Sequence, residues 1–529
     1  MPDFEWSLPY PSQRMPVLAR NVVATSQPLA AQAGLQMLRQ GGNAVDAAVA
    51  TAISLTVVEP TANGIGADAF ALVWTGDGLH GLNASGRSPK SLDGARFAGL
   101  SQMPQHGWDP VTVPGAVSAW VALSEQFGVL PFEKLFEPAI GYAREGFLVS
   151  PQTASGWARA CRAYRAFEPF QQTFCPGGKA PRAGELFRSP DHAETLQQIA
   201  ETKGEAFYRG PLAERIVAEA RAAEGAMTRD DLASHRAEWV RPISIDYRGY
   251  TLHEIPPNGQ GMAALMMLGL LRDHPLADHP VDSAASLHLQ IEAMKLAFAD
   301  AHRYIADPDW MDVEVAELLD RDYLAERAGL IDPSRARDPK FGTPKRGGTV
   351  YLTTADAGGT LVSYIQSNYT GFGSGVVIPG TGIAMQNRGA CFEVAAGHPN
   401  RVGPGKRPYH TIIPAFVTKG GQPVMSFGVM GGFMQPQGHG QMMIRLADYG
   451  QNPQAALDAP RWRIDGGLKV CIEPGFEPAL YEDLQQRGHE VTIARARTVS
   501  HGGGQAIYCL DDGYFAASDQ RRDGQAVGF

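Results

Sequence analysis

The sequence predicts a large layered α/β protein, built either as two domains or as one sandwich. Three observations carry this reading. The chain has 529 residues, more than one compact core usually holds. Up to about residue 307 its apolar residues recur mainly at helical spacing, and beyond that they fall in short β-rich runs. Between the two lies "DPSRARDPKFGTPKRGG", residues 332–348, whose proline, glycine and charge read as an exposed linker.

Composition narrows the class. Hydrophobic residues make up 44% and charged residues 19%, an ordinary globular balance. The net charge is -9, and no Lys/Arg run exceeds three residues, so no nucleic-acid partner is expected. The start, "MPDFEWSLPYPSQRMPVLAR", is polar and broken by proline, unlike a secretory signal. The longest apolar stretch, "AVDAAVATAISLTVV", contains Asp46 and is too short to span a bilayer. No membrane partner is expected, and the cytoplasm is the expected location. The cysteines are Cys161, Cys175, Cys391, Cys471 and Cys509. They are odd in number, scattered and without C-x-x-C, which indicates neither a disulfide framework nor a zinc site.

The elements follow in order. Residues 26–59 read as a helical hairpin. Ser26 is placed to cap a helix starting near Pro28, with Leu29, Ala33, Leu35 and Leu38 on its apolar face. Gly41-Gly42 stops it, and Asn43 caps a second helix that is apolar nearly all round, hence buried, and ends at Pro60. "ADAFALVWTGDGLHGLNAS" alternates as a hairpin turning at "GDG". Four helical segments between Ala116 and Gly225 each end at glycine. "ISIDYRGYTLHEIPPNGQG" is a strand pair with a Gly-rich exit, and "AASLHLQIEAMKLAFADAHRYIAD" is a long amphipathic helix. After the linker come strands in "TVYLTTAD", "TLVSYIQSNY", "GIAMQN", "TIIPAFVT" and "PVMSFGVM". Helices in "QGHGQMMIRLADYG" and "FEPALYEDLQQRG" and further strands complete the chain.

Four places carry candidate chemistry. Thr349 follows Gly347-Gly348 and opens a strand. A threonine hydroxyl needs a base to attack. An α-amino group freed on the same residue would serve, because its pKa of about 7.7–8.0 lies near neutrality. The two glycines would let the backbone bend before such a cut. Taken alone, a Gly-Gly turn before a strand explains the same residues. Gly431 and Gly432 in "FGVMGGFMQPQGHG" follow a strand and precede a helix, where paired N–H groups can make an oxyanion hole. A plain turn is the local alternative, and His439 beyond it reads as packed or exposed. Lys406 and Arg407 in "GPGKRPYH" sit on a stiff loop, and Arg87 in "NASGRSPK" follows a strand. Each arginine is suited to bidentate carboxylate binding, with a solvated charge as the alternative. There is no G-x-S-x-G, Walker A or H-E-x-x-H motif.

Several strings in order across nearly the whole chain resemble the γ-glutamyltransferase family of N-terminal-nucleophile (Ntn) hydrolases. They include "LRQGGNAVDAAVATAISLTVVEP", "VPGAVSAW", "FYRGPLAERI", "DYRGYTLHEIPPNGQG", "EAMKLAFADA", "GPGKRP", "ADYGQNPQAALDAPRWR" and "ASDQRRDGQAVG". The resemblance implies a four-layer αββα sandwich made as an inactive single chain that cuts itself before a threonine. The large subunit would be residues 1–348 and the small one 349–529, with cleavage between Gly348 and Thr349. Thr349 would be the nucleophile, Ser367 the second hydroxyl, and Gly431 and Gly432 the oxyanion pair. The two subunits of one precursor would be partners, with room for a homodimer of heterodimers. No metal or organic cofactor is implied.

The departures from the family bear on substrate. The family's carboxylate-holding Arg falls at Ser85, with Arg87 two residues on. Its acidic pair for the glutamyl ammonium falls at Ala390 and Cys391, its paired serines at His410 and Thr411, and an Asn at Tyr369. A glutamyl ammonium without its carboxylate would lose about 1.5–3 kcal/mol. The remaining positive residues are Arg87, Arg388, Arg407 and His410, and they suit a small anionic amide. Oxamate, cut to oxalate and ammonia as in the family's oxamate amidohydrolase of purine breakdown, is the leading expectation. A true γ-glutamyltransferase or glutathione hydrolase with a rearranged site, a cephalosporin-type acylase, and an unprocessed binding homologue are the alternatives.

Overall fold

The structure, a computed structural model, describes residues 13–339 and 348–529. Residues 1–12 of the N-terminal reading and 340–347 of the linker reading, Gly347 included, lie outside the described residues. The described part of the linker, 332–339, lies on the surface.

Fourteen strands build two seven-stranded antiparallel sheets. In chain order they are β1 (Val17–Ala19), β2 (Val22–Thr25), β3 (Asp68–Thr75), β4 (Gly78–Asn83), β5 (Glu238–Val240), β6 (Ile243–Tyr247) and β7 (Tyr250–Glu254). Then come β8 (Gly348–Ala355), β9 (Leu361–Tyr369), β10 (Ala415–Lys419), β11 (Gln422–Met430), β12 (Gly503–Leu510), β13 (Gly513–Ser518) and β14 (Gln525–Gly528). One sheet runs β1-β13-β12-β11-β10-β7-β6 and the other β14-β2-β8-β9-β3-β4-β5. Each sheet draws strands from both sides of the linker, so the chain is one sandwich and not two domains.

Four layers follow from which faces are apolar. Helices α1 (Pro28–Arg39) and α2 (Ala44–Val58) cover the sheet containing β8. Helices α3 (Gly261–Leu271), α4 (Ala284–Tyr304) and α5 (Met434–Ala447) form the opposite outer layer. All residues of α2 and α3 are buried, as an all-round apolar helix requires. Between the sheets lies a separate core that includes Phe70, Leu72, Tyr351, Ile365, Phe416 and Ile507. The αββα architecture implied by the resemblance is observed.

Asn43 caps α2 in a full capping box with Asp46, as its sequence predicts. Two expectations need correction. Gln27, not Ser26, caps α1, its side chain accepting from the N–H groups of Leu29 and Ala30. Ser26 instead donates to buried Glu59 at 2.5 Å, a partner supplied by the far end of the hairpin. Cys161 and Cys175 form a disulfide, with Cα atoms 6.1 Å apart. Their spacing carries no motif; the turn between the helices Pro151–Ala163 and Glu168–Phe174 brings them together. Among the described residues no helix is long and apolar enough to cross a membrane.

Candidate active site

From Val350 onward strand β8 alternates. Val350 and Leu352 pack toward α2, and Tyr351 enters the core between the sheets. Thr349 bonds Ser367, which lies two residues from Ile365 of that inter-sheet core, so it faces the sheet–sheet interior. It is fully buried. The β8–β9 register shifts between Gly348 and Val350, so Thr349 sits on a bulge, a device that re-aims side chains. Its Oγ1 donates to Ser367 Oγ at 3.1 Å, and that oxygen also accepts from the Tyr369 N–H at 2.8 Å. The two hydroxyls expected to act together are in contact.

Gly431 and Gly432 end β11 with φ of +135° and +63°, a conformation that selects glycine. The first turn of α5 takes their carbonyls, Met434 N–H bonding Gly431 O and Gln435 N–H bonding Gly432 O. In a trans peptide the N–H opposes the preceding carbonyl, so Gly432 N–H points away from the helix. Neither glycine N–H donates to another described residue. Gln260 locks this turn from outside, its Nε2 donating to Gly432 O at 2.9 Å and also to Thr411 O. His439 anchors α5 to the strand, accepting from Val429 N–H at 3.2 Å and bonding Glu254 at 2.7 Å through Nδ1. Burial pushes this imidazole's pKa down, so it packs as a neutral ring.

The basic residues divide sharply. Arg87 pairs with Asp307 at 2.7 Å and donates to Gly405 O. Arg407 grips Glu238 with both terminal nitrogens, at 2.9 and 2.7 Å, and its Nε bonds Ser85 O. Its backbone N–H takes the same Asp307 oxygen as Arg87. These arginines staple the loops of the molecule and do not line its large cavity. The clamps expected of them are already closed by internal carboxylates. His410 is fully buried against Asp68 at 3.1 Å, and its pKa is pushed well below the ordinary value by burial and by Arg388 and Arg407. It is therefore not a positive group. Asp68, opposite Ser367 in the ladder, is pushed up to about 7 by burial against the pull of Arg388.

Arg388 alone of these cations forms no ion pair with a described carboxylate. It is fully buried, its Nη1 donates to Thr411 Oγ1 at 2.6 Å, and its guanidinium carbon lies 4.7 Å from the Tyr369 ring centroid. Tyr369 holds φ +75°, where Asn is at ease and a bulky residue is strained. Sequence reasoning left Arg388 without a specific role and missed Asp68 and Gln260. The one available signal for Asp68 was a carboxylate at the head of an otherwise apolar strand.

A cavity of about 870 Å³ reaches this floor at Thr370, Gly371, Gly431 and Phe433. Its walls carry Arg159, Arg463 and Arg522 with Glu59, Asp465 and Asp523. Outside it, His288, Glu292 and His489 hold ligand-type atoms within 4.8 Å of one another. These groups are committed to each other, since His288 bonds His489 at 2.8 Å and the Lys295 ammonium bonds Glu292 at 2.7 Å. A cation there would meet that ammonium.

A family model described as gamma-glutamyltranspeptidase matches residues 30–529. The chain is 37% identical to the glutathione hydrolase-like YwrD proenzyme of Bacillus subtilis, over 96% of this chain and 98% of that one. It is 36% identical to the oxamate amidohydrolase proenzyme of Klebsiella pneumoniae, over 95% and 97%. Among solved structures, a cephalosporin acylase from Bacillus halodurans superposes with a TM-score of 0.95 at 51% identity, covering 100% of this chain and 99% of that one.

Proposed function

The chain belongs to the gamma-glutamyltranspeptidase family, and from that premise we propose that it is a self-processing Ntn amidohydrolase acting on an anionic amide. The observation that carries the proposal is Thr349, buried on a bulge with its hydroxyl bonded to Ser367. In the precursor, the Thr349 hydroxyl would attack the Gly348 carbonyl and the peptide would pass through an ester to water. This leaves residues 1–348 and 349–529 as two subunits.

In the mature enzyme the freed α-amine takes the Thr349 proton while Oγ1 attacks the substrate carbonyl. The N–H groups of Gly431 and Gly432 receive the developing oxyanion. The C–N bond breaks, the amine leaves with the proton, and water then hydrolyses the threonyl ester to acid and free hydroxyl. Side chains and backbone of this chain supply every role in this scheme.

Oxamate is the leading substrate, supported by the amidohydrolase relative and by the Ala390 and Cys391 positions, which offer a glutamyl ammonium no carboxylate. One observation favours a second reading. The cavity, at about 870 Å³, suits a drug-sized amine rather than ammonia, in line with the acylase relative. Incubation with oxamate, a γ-glutamyl anilide and an anionic acyl group on a bulky amine would separate these readings. Terminal sequencing should find a chain beginning TVYLTT, and Thr349→Ala should remain intact and inactive. A wild-type chain that turns over amides without being cut would overturn the mechanism.

A further inference from the structure

We propose that Arg388 is the specificity-determining residue of this site, binding a carboxylate carried by the acyl half of the substrate. The inference rests on the amidohydrolase reading and adds what the acyl group must look like.

Arg388 has three nitrogens and uses one. Nη1 donates to Thr411 Oγ1, while Nε and Nη2 have no hydrogen-bond partner although the whole side chain is buried. The two free donors are on the same edge of the guanidinium. That edge is the fork by which three other arginines of this protein hold carboxylates. Arg327 takes Asp300 through Nε and Nη2 at 3.0 and 2.8 Å, and Arg463 takes Asp465 at 2.7 and 3.0 Å. Arg521 grips Glu473 by the same two nitrogens. Arg388 presents the same fork with no carboxylate bonded to it among the described residues. Asp68, the acidic group across the ladder from Ser367, is bonded to His410 instead.

The rest of the guanidinium is held still. Tyr369 covers one face at 4.7 Å. Thr411 fixes Nη1, and Gln260 ties the Thr411 carbonyl to that of Gly432 in the oxyanion turn. Tyr369 is two residues from Ser367, which bonds Thr349. The fork is thus built into the same ring of contacts as the nucleophile and the oxyanion donors. A buried guanidinium with two unsatisfied nitrogens is unfavourable until an anion completes it, and bidentate carboxylate is the geometry it fits. The leaving amine then occupies the large cavity, whichever amine it is.

The test uses processed wild-type enzyme and Arg388→Gln on p-nitroanilides. The acyl groups are the monoacids of oxalic, malonic, succinic and glutaric acid, and each one's neutral methyl ester. Wild type should prefer one free-acid member over its ester by about 10- to 100-fold in kcat/KM. Arg388→Gln should reduce that charged-to-neutral ratio by the same factor, read on the processed fraction of each preparation. An unchanged ratio, or no charge preference in wild type, overturns the proposal. Should Arg388→Gln fail to fold, the wild-type ratio and competitive inhibition by malonate against its diamide decide alone. Should wild type hydrolyse no amide, the amidohydrolase reading fails. Malonate binding by calorimetry to wild type, with no binding of its diamide, would still support the anion site, and equal binding or none would reject it.

Discussion

Thr349 Oγ1 and Ser367 Oγ lie 3.1 Å apart across the β8–β9 ladder, at the bulge that interrupts its register. One hydroxyl thereby orients the other. Ser367→Ala should slow turnover about tenfold, the loss of one net hydrogen bond. Ser367→Thr should keep most of the rate. Single-turnover kinetics with an anilide substrate would check both, and gel analysis would show whether self-cleavage slows in parallel.

Gly432 holds φ +63° and Gly431 holds +135°. An alanine at Gly432 can reach its angle at a cost of roughly 1–2 kcal/mol. One at Gly431 cannot do so without moving the turn, and its Cβ would come within 3.2 Å of Gly502 and Met434. Gly431→Ala should therefore lower kcat on the order of 100-fold, the effect expected of displacing one of the proposed oxyanion donors. KM should change little, and circular dichroism should remain native.

Asp68 is pushed up to about 7 by burial. Below that pH it is protonated and the Arg388 charge acts at full strength. Above it a carboxylate forms beside the guanidinium and opposes an incoming anion. The ratio of kcat/KM for anionic over neutral acyl substrates should fall on the order of tenfold between pH 6 and 8. Asp68→Asn should flatten this dependence. Using the ratio cancels the titration of the proposed Thr349 amine, which both substrates would share.

Burial pushes the His192 pKa down to about 4, and its Nε2 meets Thr56 Oγ1 at 3.2 Å. Its folded value is below the unfolded one, so its stabilising contribution is present above pH 6.5 and is lost as pH falls toward 4. His192→Gln should melt below wild type at pH 7, and the gap in Tm should narrow at pH 5. Calorimetry across that range would check the sign.

The Cys161–Cys175 bridge closes a short loop with a sequence separation of 14 beside the cavity wall formed by Arg159, Ala160 and Tyr164. Loop closure of this length contributes about 3 kcal/mol. Cys161→Ser should lower Tm by several degrees, and a reductant should do the same to wild type while leaving the variant unchanged.

Local rules were legible in the sequence. The buried helix α2, the hairpin of β3 and β4, and the Asn43 cap follow from patterns a few residues long, and the structure contains them. The order of many short strings identified the family and hence the layers. Ser26 misled because Gln27, its neighbour, has the reach to cap α1 while Glu59 draws the serine away. The cysteine pair was invisible because its helices meet only through a turn.

The choice among the arginines lay beyond the sequence. Arg87, Arg388 and Arg407 are three similar cations on paper. Asp307 and Glu238 fold in from far along the chain to pair with two of them, and among the described residues no carboxylate forms an ion pair with the third. Periodicity, capping and turn chemistry are short-range, so the residues alone determined the elements and the strand that Thr349 opens. Which charge remains available to a ligand depends on contacts between distant segments, and only the packed sandwich decided it.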